Sequence, residues 1–441
     1  MKKFIIVVLA VYFISADANA QQATYIMNLN QCIDSALRKN IVLQQARLSH
    51  QTANVNVHMA KTSQLPAVTG TVGQGINLGR NVDPFNNQYA NQTINYGSYG
   101  VSGDMIIYNG GNIKNNIKRT ESNAVAARED LRLTGQQTVL NVILAYMQVL
   151  STQEQLEMTR TQAKLSEEQL TRLKQKSDKG VVAPSQVSDL QGQLLNDQLA
   201  IVDLQNTLEW YKMELAQQMN IPYNKQIKLI KIDIDKMLTE YAPNNVDIYE
   251  TAMENFPQIR AAKERSKGAD YALKSARGLR YPQLFAGGTV GTVYTSSAET
   301  TTGKLGFSNQ FLNNRAANFN VGIRIPILAS NVRNNIKLAD ITLENVKLEE
   351  ERTKNVVWQE IERGYVAMTN AYKRFRTLEE QLIAYRQSYK AAEARFVTGV
   401  DNSLDYLLSK NNLDRANINF INARYDFILK KKVLDFYQNI P

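Results

Sequence analysis

The chain has 441 residues, 44% hydrophobic and 21% charged, a size that suits two or three ordinary domains or one elongated architecture. Its formal net charge is +10, but the Lys and Arg residues are interspersed with Asp and Glu, a pattern of solvated helix faces that argues against a nucleic-acid-binding stripe. A single cysteine, Cys32, rules out an internal disulfide, so packing has to hold the fold.

In chain order, Lys2 and Lys3 precede an apolar run over 4–16, and Ala18-Asn19-Ala20 supplies the small residues a signal peptidase needs. The run is too short to cross a bilayer, so residues 1–20 are expected to be a signal peptide cleaved before Gln21. Cys32 lies too far downstream, behind Gln31, for a lipid anchor. No later apolar run is long enough for a spanning helix, so any membrane crossing has to use strands.

Alternation appears next. Val68, Val72, Ile76 and Leu78 alternate with Thr69, Thr71, Gly73 and Asn77, and the return strand sets Tyr99, Val101, Gly103, Met105 and Ile107 against Gly100, Ser102 and Asp104. The polar stretch between them, 79–95, reads as an ordinary exposed loop. From Asn112 to Lys179 the chain then has no proline and a single glycine, Gly135, and apolar residues recur at threes and fours: a coiled-coil helix of about 66 residues, about 100 Å long at 1.5 Å per residue. It stops at "DKGVVAPS" (178–185), where Pro184 suits the first turn of a second helix of roughly 35 residues.

The same grammar then recurs. "KNNIK" at 114–118 returns as "RNNIK" at 333–337, and the ungapped segments 99–118 and 318–337 share seven identities where chance gives about one or two. Upstream, 33–46 answers 249–262 and 64–73 answers 280–291; downstream, Gly180-Val181 answers Gly399-Val400. The second copy has its own strands (Leu284, Ala286, Val290, Tyr294; then Phe319, Val321, Ile323, Ile325), an exposed polar loop over 295–318, and a proline-free helix over 331–398. The turn "VTGVDNS" (397–403) follows, with Asn402 or Ser403 as the cap of the last helix. The chain is two copies of one unit: 21–222, then a linker at 223–245, then 246–441. Asn112–Lys118 and Asn331–Lys337 mark the junction where a strand ends and a long helix begins, and their asparagines are expected to satisfy free backbone groups there. Four strands cannot enclose a pore alone and open edges are prohibitively costly in lipid, so several chains have to close one barrel.

With these residues in place the chain resembles the TolC-like outer-membrane efflux proteins over essentially its whole mature length. The resemblance is carried by "MNLNQCIDSALRKN" (27–40), "VDIYETAMENFPQI" (246–259), the two strand-to-helix junctions and the two glycine turns. It implies a mixed, mainly α fold: a homotrimer with a twelve-stranded transmembrane β-barrel, four strands per chain, continued by a helical tunnel across the periplasm. An equatorial region is expected from 219–246, Ala23–Leu29 and the chain end. The implied function is a passive exit duct in the cell outer membrane, moving small molecules or polypeptide from an inner-membrane pump and periplasmic adaptor to the exterior, without catalysis, cofactor, metal or nucleic acid. Gly180, Val181, Val182, Ala183, Gly399 and Val400 match the turns that meet the adaptor in that family. Asp405 matches the first of two acidic rings near the tunnel entrance; the second falls on Leu408, a departure from the family pattern.

Two other classes fit less well. The only histidines, His50 and His58, lie without a cysteine or acidic cluster beside them, which argues against a metal site or an enzyme. A soluble periplasmic coiled-coil adaptor or scaffold explains the export signal and long helices but has no need of two strand pairs.

Overall fold

The computed structural model describes residues 26–82, 87–91, 93–223, 227–241, 243–301 and 303–438. The expected signal peptide therefore lies outside the described residues, as do 83–86, 92 and 302 of the two polar loops, 224–226 and 242 of the linker, and 439–441 at the chain end.

The elements run β1 (Ile26–Met27), α1 (Leu29–Lys39), α2 (Ile41–Thr62), β2 (Ala67–Asn77), β3 (Arg80–Val82), β4 (Tyr89–Asn91), β5 (Ile94–Asn109), α3 (Asn112–Asp178) and α4 (Pro184–Gln218). After them come β6 (Lys228–Leu229), α5 (Asn245–Asn255), α6 (Pro257–Gly278), β7 (Gln283–Thr295), β8 (Glu299–Thr300), β9 (Gly303–Lys304), α7 (Phe307–Asn313), β10 (Ala316–Arg324), α8 (Ser330–Thr398) and α9 (Ser403–Tyr437). The two long helices, α3 and α8, have 67 and 69 residues, and each is followed by a helix of 35. No described helix is long and apolar enough to cross a membrane. The chain divides into two compact units: one takes residues up to Arg47, Asp130–Ile259 and from Lys354 on; the other takes Leu48–Glu129 and Arg260–Thr353.

In the first unit the duplication is visible at the level of single caps. Asn28 caps α1 by accepting the Gln31 N–H, and Asn244 caps α5 by accepting the Asp247 N–H. Both helices end on an extended residue, Asn40 or Phe256, whose N–H returns to the buried alanine four residues earlier, Ala36 or Ala252. Cys32 and Ile248, at matching positions, are both fully buried. Around Cys32 one core gathers Val142, Tyr146 and Val149 of α3 with Leu215 of α4 and Ile428 of α9; around Ile248 another gathers Ile361, Met368 and Phe375 of α8 with Phe427 of α9. The stretch expected to be equatorial is ordered by β1 pairing in parallel with β6 and by Tyr146, whose hydroxyl donates to the Ile230 carbonyl at 2.6 Å.

In the second unit four strands form one antiparallel sheet in the order β10-β7-β5-β2. Cross-strand partners point to the same side, so the register sorts the side chains into two faces. Val68, Val72 and Ile76 share a face with Val101 and Met105, with Leu284, Ala286 and Val290, and with Phe319, Val321 and Ile323. The other face carries Thr69, Thr71, Ser98, Ser102, Asp104, Asn318, Asn320 and Arg324, with Ile94, Tyr96, Ile106, Phe285 and Val293 as apolar or aromatic exceptions. The apolar face is the exposed one to explain: Val72 is 80% accessible and Phe319 81%.

Three expectations are corrected here. The helix start at the first junction is capped from the strand side, by Asn109 Oδ1 accepting the Ile113 N–H at 3.2 Å. Asn112 instead reaches across to the end of α6, its amide donating to the Ser275 carbonyl and hydroxyl at 2.9 Å. Second, the loop over 295–318 is not simply exposed: it holds β8, β9 and α7, with Gln310 only 1% accessible. Third, the first loop carries a short ladder, β3 with β4. The first junction also has a steric demand that the repeat comparison does not reveal. Gly110 has φ +65° and a Cβ there would stand 2.2 Å from the Gly278 carbonyl oxygen, while a Cβ on Gly278 would stand 2.8 Å from the Gly110 oxygen. Gly110→Ala and Gly278→Ala are each expected to cost about 1–3 kcal/mol through backbone overlap, seen as a lower unfolding midpoint, whereas Gly70→Ala, with open space around it, is expected to cost far less.

Candidate functional site

The two glycine turns are built alike because each ends a long helix with the same hydrogen-bond pattern. Gly180 has φ +72° and Gly399 φ +82°, the left-handed region where a side chain is strained. The Gly180 N–H donates to the Ser177 carbonyl and the Val181 N–H to the Lys176 carbonyl; the Gly399 and Val400 N–H groups donate to Phe396 and Arg395 in the same way. This Schellman arrangement satisfies the last carbonyls of α3 and α8. Pro184 then occupies the first turn of α4. Asn402, not Ser403, caps α9, accepting the Asp405 N–H at 3.0 Å. Ser403 is buried and donates its hydroxyl to Asp189 at 2.9 Å, tying α9 to α4.

Both turns open onto one groove of about 580 Å³, lined by Arg172, Lys176, Lys179, Val181, Val182 and Gly399 among others. Lys176 donates to the Val397 carbonyl at 3.1 Å, linking the end of α3 to the C-terminal carbonyls of α8, where a cation is electrostatically favoured. Beneath the turns Phe396 stacks on Tyr406 at 4.7 Å, and Leu170, Leu173, Leu190 and Leu194 complete a small core against which Val182 packs. The six expected docking residues therefore divide. Val182 is half-buried and helps close this core, whereas Val181 and Val400 are 69% and 73% accessible. Gly180 and Gly399 shape the turns, and Ala183 precedes the new helix. Asp405 is exposed in the first turn of α9, outside the residues lining the groove, with the exposed Leu404 and Leu408 on its helix.

Sequence reasoning missed the most strongly coupled polar group here. Lys410, almost wholly buried on α9, donates to Asp197 of α4 at 3.1 Å and to Asp414 at 2.6 Å. Asp197 also accepts from Ser166 of α3 at 2.5 Å and from Gln193 at 2.7 Å. Burial raises the Asp414 pKa, and the Lys410 ammonium opposes that rise. Burial also pushes the Tyr406 hydroxyl well above its ordinary range; it lies 3.3 Å from the Tyr389 hydroxyl. A signal was present: Tyr406, Lys410 and Asp414 follow at spacings of four, placing a lysine inside the apolar seam.

Residues 32–220 and 248–434 match the family model described as outer membrane efflux protein. The chain belongs to that family. This efflux protein is 21% identical over 406 residues to toxin and drug export protein A of Aggregatibacter actinomycetemcomitans, covering 91% of this chain and 83% of that one. It is 23% identical over 437 residues to the outer membrane efflux protein BepC of Brucella suis, covering 97% and 88%. Its fold matches a solved structure of CusC, described as forming a transmembrane channel, with a TM-score of 0.81 at 17% identity over 97% of this chain and 96% of that one. The efflux protein is thus an outer-membrane exit duct, and the alternative of a soluble adaptor or scaffold is set aside by the family match and by the two-faced sheet.

Proposed function

We propose that three copies of the efflux protein close a single barrel, with β10 of one copy pairing with β2 of the next, so that four strands from each of three chains make twelve. One observation carries this reading: the sheet has two unpaired edges and one apolar face, an arrangement stable in lipid only when the edges are joined. Exposed Leu195, Leu199 and Val202, spaced at threes and fours on α4, form a stripe that a neighbouring helix would cover in the helical part of such an assembly. The repeats over 21–222 and 246–441 then supply matching hairpins, and 223–245 is the equatorial linker between them. Residues 1–20 direct export. A heat-resistant trimer on unheated gels of outer-membrane fractions is the expected result; a monomer that remains soluble would overturn the reading.

The tips are the docking site for a periplasmic adaptor that couples the duct to an inner-membrane pump. Support comes from Val181 and Val400, apolar yet exposed beside a groove carrying three cations. Val181→Asp with Val400→Asp is expected to abolish export while leaving the assembly intact, measured by cargo release and unheated gels; undiminished export would refute the docking role. Asp405, repeated around the threefold axis, would form an acidic ring that favours cations at the entrance. Transport is passive, with the energy supplied by the pump. The name of one relative includes both toxin and drug export, so gene deletion followed by a panel of antibiotics, dyes and metals alongside the secreted proteome identifies the cargo.

A further inference from the structure

The segment between β7 and β10 is held by contacts an ordinary loop lacks. β10 begins pairing at Ala316 with Gly291, so β7 continues to Thr295 without that partner. Side chains take its place. Gln310 accepts the Thr295 N–H at 2.9 Å and donates to the Thr295 carbonyl at 2.9 Å, and Asn314 donates to the Val293 carbonyl at 2.9 Å. An unpaired strand end is thereby satisfied, and α7 is fixed in place.

Its position follows from the register. Tyr99 and Tyr294 lie on the apolar face, as does Thr292, whose hydroxyl donates to the Phe311 carbonyl at 3.1 Å. Phe307 packs edge-on against Tyr99 at 5.8 Å and Tyr294 at 5.3 Å, and Phe311 against Tyr99 at 5.6 Å. So α7 is folded back over the apolar face at its loop end. Even so, Phe307, Phe311 and Leu312 remain 47%, 39% and 54% accessible.

We propose that α7 is an interfacial anchor whose Phe307, Phe311 and Leu312 enter the boundary between headgroups and acyl chains of the outer leaflet. This rests on the reading above that the apolar face looks outward. From Leu284 to Tyr294 that face spans ten residue steps, about 33 Å of strand, which at a tilt of 35–45° is about 25 Å, the height of the apolar band of such barrels. The aromatic cluster therefore sits at its upper rim, where aromatic side chains are favoured. A neighbouring copy is not the occupant, because copies join at β2 and β10 whereas α7 rests on β5 and β7, the two inner strands.

The test is fluorescence quenching in the full-length protein, with both native tryptophans, Trp210 and Trp358, changed to Phe. Phe311→Trp and, separately, Leu312→Trp are reconstituted into phosphatidylcholine vesicles containing lipid brominated near the headgroup or near the chain end. Both probes are expected to lose emission chiefly to the shallow quencher. Val101→Trp, opposite Val290 in mid-sheet on the same face, is expected to lose it chiefly to the deep one. Unquenched emission from both α7 probes with Val101→Trp quenched overturns the anchor and leaves the barrel reading standing; Val101→Trp that neither quencher dims overturns the outward orientation, and the anchor with it. Should Phe311→Trp fail to assemble, Leu312→Trp, at a more exposed site, decides the matter.

Discussion

Replacing Lys410 with methionine is expected to destabilise the folded chain by about 3–5 kcal/mol, the cost of leaving a buried charge without its partner. The physical basis is asymmetric. Lys410 has 4% side-chain accessibility and Asp197 10%, so neither can recover hydration when the other is removed. Ser166 and Gln193 would still donate to Asp197, but as neutral groups they cannot replace the ammonium. Lys410→Met combined with Asp197→Leu and Asp414→Leu is expected to regain most of the loss, since a well-packed apolar replacement removes the uncompensated charge as well as the pair. Denaturant unfolding of the purified protein measures both variants. A near-neutral Lys410→Met alone would show that solvent reaches the cluster.

The pH dependence has a definite sign. Burial raises the folded-state pKa of Asp414 above its unfolded value, and Lys410 is the leading cause that lowers it. A carboxyl with a raised folded pKa binds more protons folded than unfolded, so its contribution to stability falls as pH rises through the window between the two values. Without Lys410 the rise is larger and the window wider. The deficit of Lys410→Met should therefore be greatest at neutral pH and shrink as the pH is lowered toward the carboxylate range; a pH-independent deficit would contradict this.

Val290→Arg is the second large effect, about 2–4 kcal/mol if the apolar face lies at the bilayer midplane. Val290 sits about midway between Leu284 and Tyr294 on β7, on the apolar face, so a guanidinium there would stand in hydrocarbon. Thr289→Arg, one residue earlier and therefore on the polar face, is the control and is expected to assemble nearly as well as the unaltered protein. The comparison is read as the heat-resistant fraction in outer-membrane preparations and as the denaturant midpoint of protein refolded into vesicles. Equal behaviour of the two variants would refute the assignment of the faces.

Much of this molecule was legible from residue order. Two proline-free stretches with threes-and-fours spacing place α3 and α8 closely, since nothing in either stretch interrupts backbone hydrogen bonding. Gly180 and Gly399 mark the turns because only a residue lacking Cβ adopts that backbone region without strain. Alternation identified the strands, and the match of 33–46 with 249–262 is followed in the structure by the recurrence of one cap, one fully buried apolar residue and one helix end, Asn28, Cys32 and Ala36 against Asn244, Ile248 and Ala252. These are local properties, decided within a few residues.

What only the tertiary structure decided are the partnerships across long separations. Lys410 and Asp197 lie 213 residues apart, and helical spacing says that Lys410 faces inward without saying what it meets. Gly110 is required by the Gly278 backbone, which approaches from another helix, and the second copy has no equivalent of that pair. Gln310 looks like any polar loop residue until β10 is seen to stop short of the end of β7, leaving an N–H and carbonyls that only a side chain can satisfy. Periodicity determines which face of an element is buried; which atoms meet that face depends on strand register and helix docking, and these are set by the whole chain at once.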